Sequence, residues 1–398
     1  MSPSAQFTVK TSQHSLRHLR VFLCVVDTGS VTRAAEFCFV SQPAVTQALS
    51  KLERTAGLPL FTRTPQGLFP NNAGEVLARR LRRAFAFLDA ALGELSPRLR
   101  VTATTAQLNA LIAVREAENF TLAARRLGLA QPTVHRAVSQ LEHEAARPLF
   151  ERTSYGIVAT RAAQALAQAA RLAFVELAQA DADLAELKSE EAGRIVVGAM
   201  PLSRSYVLPK AIASFRKLRP NLPIQILEGP YADLLAGLRR GEIDFLIGAL
   251  RDPVPIGDVE QRALFSDTLV IVAGQRHPLR GKANLALEEL AAYPWVVAQK
   301  ETPIRRHFDA LFAPLNDRAP KSIVESGSLI LMRELLDTSD HLGCISHLQA
   351  EAEIARGLMH ALPVDLGHTS RPIGLTLRQN WLPTIAQQQF LDLIASRG

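Results

Sequence analysis

The chain has 398 residues and a formal net charge of +7, with 47% apolar and 21% charged residues. At roughly 100 to 200 residues per domain this length gives two to four domains, and the composition excludes both a disordered chain and a single small scaffold. No apolar run approaches the roughly 18 residues of a membrane span. The N-terminal MSPSAQFTVKTSQHSLRH lacks the apolar core of a secretory signal, so the sequence predicts a cytoplasmic protein with no membrane partner.

Residues 15 to 72 form a first domain. Leu16, Leu19, Phe22, Leu23 and Val26 recur at helical spacing and predict an amphipathic helix ending at Gly29. Ser30 caps a short helix carrying Thr32 to Phe37, whose small Ala34 and Ala35 permit a close helix crossing. Ser41 is a good N-cap before Gln42-Pro43, where the missing proline N–H costs nothing. The third helix runs from about Gln42 to Ala56, with Val45, Leu49 and Leu52 inward and Gln42, Ala44, Thr46, Gln47, Ser50 and Lys51 outward. Gly57 stops it, and Arg63 to Phe69 predict a β-wing turning at Gly67. Two short helices and a basic wing make a winged helix-turn-helix. Its third helix fits the major groove of double-stranded DNA, where amide side chains read adenine edges and Arg63 meets a phosphate. Thr32 and Pro43 complete the candidate DNA-binding set.

A linker helix follows over residues 73 to 97, with Val76, Leu77, Leu81, Phe85, Leu88 and Leu92 on one side, and Ser96-Pro97 breaks it. Its Arg79, Arg80, Arg82 and Arg83 fit a solvated basic face. The sequence then repeats itself. Residues 19 to 77 align without a gap on 108 to 166 at an offset of 89, with 21 of 59 positions identical. This second winged helix-turn-helix, residues 103 to 161, offers Gln131, Thr133, His135, Arg136 and Arg152 as DNA contacts. Ala130 stands where the first copy has its capping Ser41, a loss of about 1 kcal/mol in helix stability. Residues 162 to 190 repeat the linker helix. The net charge is about +6 over residues 15 to 100, about +2 over 101 to 166 and about −2 beyond. A positive segment favours a polyanion by releasing its counterions. The lower charge of the second copy also fits a domain kept for packing or dimerisation.

From residue 193 to 398 strands and helices alternate. Strands are predicted at Arg194 to Met200, Ile224 to Glu228, Phe245 to Gly248, Leu269 to Ala273, Trp295 to Val297, Ile323 to Val324 and Leu375 to Arg378, with a loop at Pro201 to Ser205. This βαβα order implies a parallel sheet with helices on its faces. In such folds ligands sit beyond the carboxyl ends of strands. Ser203 and Ser205, Thr302, and Ser326 with Ser328 qualify by position, with Arg204 or Arg305 as carboxylate partners for an anionic metabolite. Each of these hydroxyls also fits a plain helix cap. Cys24, Cys38 and Cys344 are odd in number and at spacings unsuited to a metal, and buried reduced thiols are the reading. No nucleophile, base and acid set is visible, so the chain reads as no enzyme, with no metal and no cofactor.

The run SVTRAAEFCFVSQPAVTQALSKLERTAGLPLFTRT, Ser30 to Thr64, resembles the DNA-binding domain of LysR-type transcriptional regulators, and NFTLAARRLGLAQPTVHRAVSQLEHEAARPLFERT, Asn119 to Thr153, resembles it too. Leu208 to Gly229 and Leu234 to Arg251 resemble the family's effector-binding domain, a two-lobed fold like periplasmic type 2 binding proteins. The family normally carries one helix-turn-helix domain, so the tandem is a departure. The resemblance implies a multidomain α and α/β protein that binds DNA and a small-molecule effector. It also implies linker helices that pair two protomers into a homodimer or homotetramer. The other reading left open is a ligand-binding assembly protein whose winged helices meet other proteins instead of DNA.

Overall fold

The computed structural model describes residues 15 to 396, apart from Tyr155 and Glu301. The N-terminal stretch, on which the expectation of no secretory signal rests, lies outside the described residues as far as residue 14. Two compact units are present: one runs to Arg194 and takes in Arg240–Glu242, and the other holds Ile195–Arg239 and the chain from Ile243 onward.

In the N-terminal unit, α1 (Leu16–Thr28), α2 (Val31–Phe37) and α3 (Gln42–Ala56) precede a wing of β1 (Phe61–Thr64) and β2 (Gly67–Pro70), and α4 (Asn72–Leu95) follows. A short α5 (Leu99–Thr102) leads to the second copy: α6 (Thr105–Ala117), α7 (Phe120–Leu127), α8 (Gln131–Ala145), β3 (Phe150–Thr153), β4 (Gly156–Ala159) and α9 (Arg161–Glu186). Ser30 and Ser41 cap where the sequence places them, and Asn119 does the same for the second copy. Ser30, Ser41 and Asn119 accept from backbone N–H groups, and Ala130 leaves α8 without a side-chain cap. Gly67 is required by close approach, because it sits at φ 145° and a Cβ there would lie 2.6 Å from the Gly29 carbonyl oxygen. The wing thereby docks on the end of α1, with Leu68 N–H donating to Gly29 O at 2.9 Å. In each copy a glutamate fixes the turn between recognition helix and wing. Glu53 accepts from Leu60 N–H at 2.9 Å, and Glu142 accepts from Leu149 N–H at 2.8 Å.

The linker helices depart from expectation in two ways. Their apolar stripes are covered within the one chain, where α4 and α9 pack on each other around a continuous core containing Leu81, Phe85, Leu88, Leu166, Phe174 and Leu177. Nor is the arginine run of α4 a uniformly solvated face: Arg79 and Arg82 are exposed, while Arg80 is 1% exposed. The Arg80 guanidinium reaches α9, with Nε 2.8 Å from Asp183 and Nη1 3.1 Å from Glu176 and 2.9 Å from Gln179. Arg83 Nε adds a bond of 2.8 Å to Glu176.

The C-terminal unit comprises β5 (Ile195–Ala199), α10 (Pro201–Ser205), α11 (Val207–Leu218), β6 (Ile224–Leu227), α12 (Tyr231–Arg239), β7 (Phe245–Ala249), β8 (Val259–Asp267) and β9 (Leu269–Ala273). It continues through α13 (Leu287–Ala291), β10 (Trp295–Val297), α14 (Pro303–Phe312), β11 (Ile323–Glu325), α15 (Leu329–Thr338), β12 (Leu342–Ser346), α16 (His347–Ala355), β13 (His360–Ala361), β14 (Arg371–Arg378) and α17 (Ile385–Ala395). The strands make two five-stranded sheets, ordered β6-β5-β7-β14-β8 and β11-β10-β12-β9-β13. Both are mixed, not parallel. β14 runs antiparallel to β7 and β8, and β9 runs antiparallel to β12 and β13, because the chain leaves the first sheet after β8 and returns to it as β14. At this double crossover Arg371 Nη2 bonds the buried Asp267 carboxylate at 2.7 Å, and Leu269 N–H donates to Thr369 Oγ1. The segment Pro201 to Ser205, read as a loop, is a single helical turn.

Candidate DNA interface and effector cleft

On α3, Val45, Ala48, Leu49 and Leu52 are buried, and the whole opposite face is exposed: Gln42, Pro43, Ala44, Thr46, Gln47, Ser50 and Lys51. Thr32 shares a shallow depression with Glu36, Phe39, Ser41 and Gln42. Arg63 stands exposed on β1, paired in register with Leu68. Burial, then Lys51 and Arg17, hold the His18 imidazole below its ordinary value, which marks a cationic flank beside the recognition helix. The turn before α3 also presents Phe37 and Phe39, 70% and 93% exposed, with Phe39 at φ 52°. Sequence reading passed over this pair, whose signal is the apolar run FCFV in an otherwise polar turn.

The second copy builds the same face. Val134, Val138 and Leu141 are buried under α8, while Gln131, Thr133, His135 and Arg136 are exposed, as is Arg152 on β3. The His135 ring lies 5.1 Å from Phe120 and its Nδ1 lies 3.3 Å from the Ser139 hydroxyl, which fixes its direction on the helix. Where the first copy has Glu36 and Phe37, the second has exposed Arg125 and Arg126, so its turn is cationic.

In the C-terminal unit the hydroxyls chosen from sequence are engaged locally. Ser203 is fully buried, and its Oγ donates to the Met200 and Ile247 carbonyls at 2.7 and 3.1 Å. Ser205 donates to Leu202 O, Thr302 caps α14 by accepting from Arg305 N–H, Ser326 accepts from Ser328 N–H, and Ser328 caps α15. Arg204 is paired with Glu228, and Arg305 with Asp309 and Glu325 at 2.8 and 2.7 Å, so both guanidinium groups already hold carboxylates. The first and third segments do meet across the lobes, since a Cβ on Gly327 would sit 3.8 Å from Pro201.

A different group of cations gathers nearby. Arg251 stacks 4.4 Å over the Tyr231 ring, and burial weakens its hold on its proton, opposed by Tyr231 and assisted to a lesser degree by the Arg306 charge. Burial, then Arg371 and Arg306, lowers His307. Arg371 is 6% exposed and bonds Asp267 through Nη2, but its Nε and Nη1 make no hydrogen bond among the described residues. Sequence reading missed this cluster because its members are far apart in the chain. Among the described residues no group of three or more His, Cys, Asp and Glu could hold a metal ion, and no helix is long and apolar enough to cross a membrane. All three cysteines are free thiols; Cys344 is buried and pushed up to about 12 by that burial. Cys38 is also pushed up to about 12, by burial and then by the neighbouring Cys24 thiol.

Residues 188–398 match the LysR substrate binding domain, and 16–75 and 105–164 each match the bacterial regulatory helix-turn-helix of the lysR family. The chain belongs to the LysR family. It is a DNA-binding transcriptional regulator with a C-terminal effector-binding domain, not an enzyme, and the assembly-protein reading is set aside. It is 35% identical over 375 residues to the HTH-type transcriptional regulator GalR of Pseudomonas putida, with 94% of each chain covered, so that relative spans the tandem region as well. PcaQ of Agrobacterium fabrum is 27% identical, but 92% of its length accounts for only 72% of this regulator. The crystal structure of full-length CbnR complexed with its target DNA aligns with a TM-score of 0.51 at 18% identity, over 73% of this chain and 98% of that one, a likeness of fold.

Proposed function

We infer that both heads of this regulator read double-stranded DNA in the cytoplasm and that a small anionic metabolite between the two sheets of the C-terminal unit controls the reading. The observation that carries the DNA half is the recurrence of one design at two places: an apolar side buried, a polar side with amide or guanidinium groups exposed, and a wing arginine beside it. Amide side chains pair with adenine edges and Arg with guanine, while Arg63 and Arg152 serve as phosphate contacts. Replacing Gln42 and Gln47 by Ala should change sequence preference. Replacing His135 and Arg136 by Ala should shorten the footprint by about one helical turn, or about 10 bp. Unchanged preference in the first and an unchanged footprint in the second would defeat the reading.

The effector half is supported by Arg251, Arg306, His307 and Arg371, whose charges act on one another, and by the two Arg371 nitrogens that make no hydrogen bond among the described residues, with Thr302, Ser326 and Ser328 on the surrounding helix starts. Ser203, Arg204 and Ser205 belong to the frame of this cleft. An effector shifts the regulator only by binding two arrangements of it unequally. Small carboxylates should raise the unfolding temperature in step with their concentration, and R251A with R306A should abolish the gain. Gains that survive both substitutions would place the anion elsewhere. Self-association then falls to surfaces other than the linker helices.

A further inference from the structure

The offset of 89 that relates the two heads continues through the linker helices. Ala78, Ala84, Phe85, Leu88, Ala91 and Leu95 of α4 recur as Ala167, Ala173, Phe174, Leu177, Ala180 and Leu184 of α9. The two helices run antiparallel. Arg83 reaches Glu176, whereas Arg80, one turn earlier on α4, reaches Gln179 and Asp183, later on α9. Two like helices packed antiparallel are related by a local two-fold axis, here near the buried Phe85 and Phe174. In an isologous pairing each contact should have a counterpart with the roles exchanged. The two ends of the pair follow this: Arg147, just after α8, donates to the Glu94 carbonyl at the end of α4, and Lys188, just after α9, lies 3.5 Å from where a Cβ on Gly57 would stand, just after α3. The turn after each recognition helix therefore meets the far end of the other copy's linker. The ion cluster between these ends is one-sided, because Ala169 and Leu172 occupy the places equivalent to Arg80 and Arg83.

We propose that one chain of this regulator is a complete two-headed reader, with the α4–α9 pair doing within a chain what linker helices of two protomers are expected to do between chains. This rests on the reading of both heads as DNA readers. The dyad presents α3 and α8 to two half-sites in inverted orientation, but the halves differ, because Gln47 and Arg136 occupy equivalent places. An amide favours adenine and a guanidinium favours guanine. The preferred DNA is an inverted repeat with unlike halves, bound by one chain in one orientation.

The test has two arms on the full-length chain. With Cys24 and Cys38 replaced by Ala, the exposed pair E94C and R147C is treated with a short bismaleimide. The proposal expects cross-linked product at the mass of one chain, and product at twice that mass overturns it. In the second arm, duplexes recovered by the wild-type chain from a randomised pool are offered to Q42A/Q47A, to H135A/R136A, and to a one-to-one mixture of the two variants. The expected result is weaker binding by each variant, with the mixture staying within twofold of the better one. Binding restored by mixing overturns the proposal, since it would mean heads from different chains share a site. Wild-type binding by H135A/R136A alongside single-chain cross-linking would also overturn it, and would locate the failure in the DNA reading of the second head.

Discussion

The two heads share a fold and a core but secure their helices differently. In the first, Ser41 caps α3, and the left-handed residues that end α1 and α3 are Gly29 and Gly57. In the second, Ala130 gives α8 no cap, and the corresponding left-handed positions are Glu118 at φ 49° and Ala146 at φ 51°. Each such residue with a Cβ costs about 1 kcal/mol, and the lost cap costs about as much. Part of this is offset at the other end of the first helix, where Thr104 and Gln107 form a full capping box on α6 while Ser15 makes no side-chain cap bond on α1. Arg125 and Arg126 also sit in the last turn of α7, where the helix dipole favours cations. The second head has thus moved its stabilisation from the recognition turn to the helix that packs on α9. A head held in place by a covalently attached partner tolerates weaker caps of its own.

The largest effect should follow from breaking what joins the heads. R80A leaves Asp183 buried without its cation and Glu176 with Arg83 alone, and should cost the N-terminal unit about 3 to 5 kcal/mol in urea unfolding; a loss below about 1 kcal/mol would show the ion cluster to be incidental. Next come the left-handed positions. G57A should destabilise by about 1 kcal/mol and A146G should stabilise by a similar amount, and equal signs would refute the strain argument. The caps should behave in the same opposed way, S41A losing about 1 kcal/mol and A130S gaining up to that much, read from the same denaturation curves. The smallest effects belong to the wings. R63A and R152A should each weaken binding to all sequences alike and flatten the salt dependence by about one phosphate contact. A flat response to R152A alone would make the second wing a bystander.

Much of the N-terminal unit was legible because helical spacing, caps and an 89-residue repeat are local or self-referential signals. The exposed face of α3 could be listed from its buried complement. The pairing of the linker helices was legible only as a need for some partner, since a stripe of Leu and Phe does not say whose stripe covers it. Arg80 was misread for the same reason: its neighbours on α4 are exposed arginines, and only packing against α9 sets it apart. In the C-terminal unit, β8 escaped notice because the sheet's edge strand VEQRALFSD is half exposed and breaks the alternating pattern. β12 escaped because LGCIS is short and contains Gly343, which packing demands, since a Cβ there would lie 2.8 Å from Met332 Sδ. The cationic cluster of Arg251, Arg306, His307 and Arg371 depends on the chain's return from the second sheet to the first, a topological fact without a local signature.

The central claim concerns the ratio of chains to DNA sites. Full-length regulator, 43.5 kDa per chain, should be titrated against a slight excess of a short duplex carrying one selected inverted repeat, with the complex mass measured by light scattering. One chain per duplex is the predicted result, whether or not complexes associate further through other surfaces. Two chains per duplex, with both needed to protect the two halves, would contradict it.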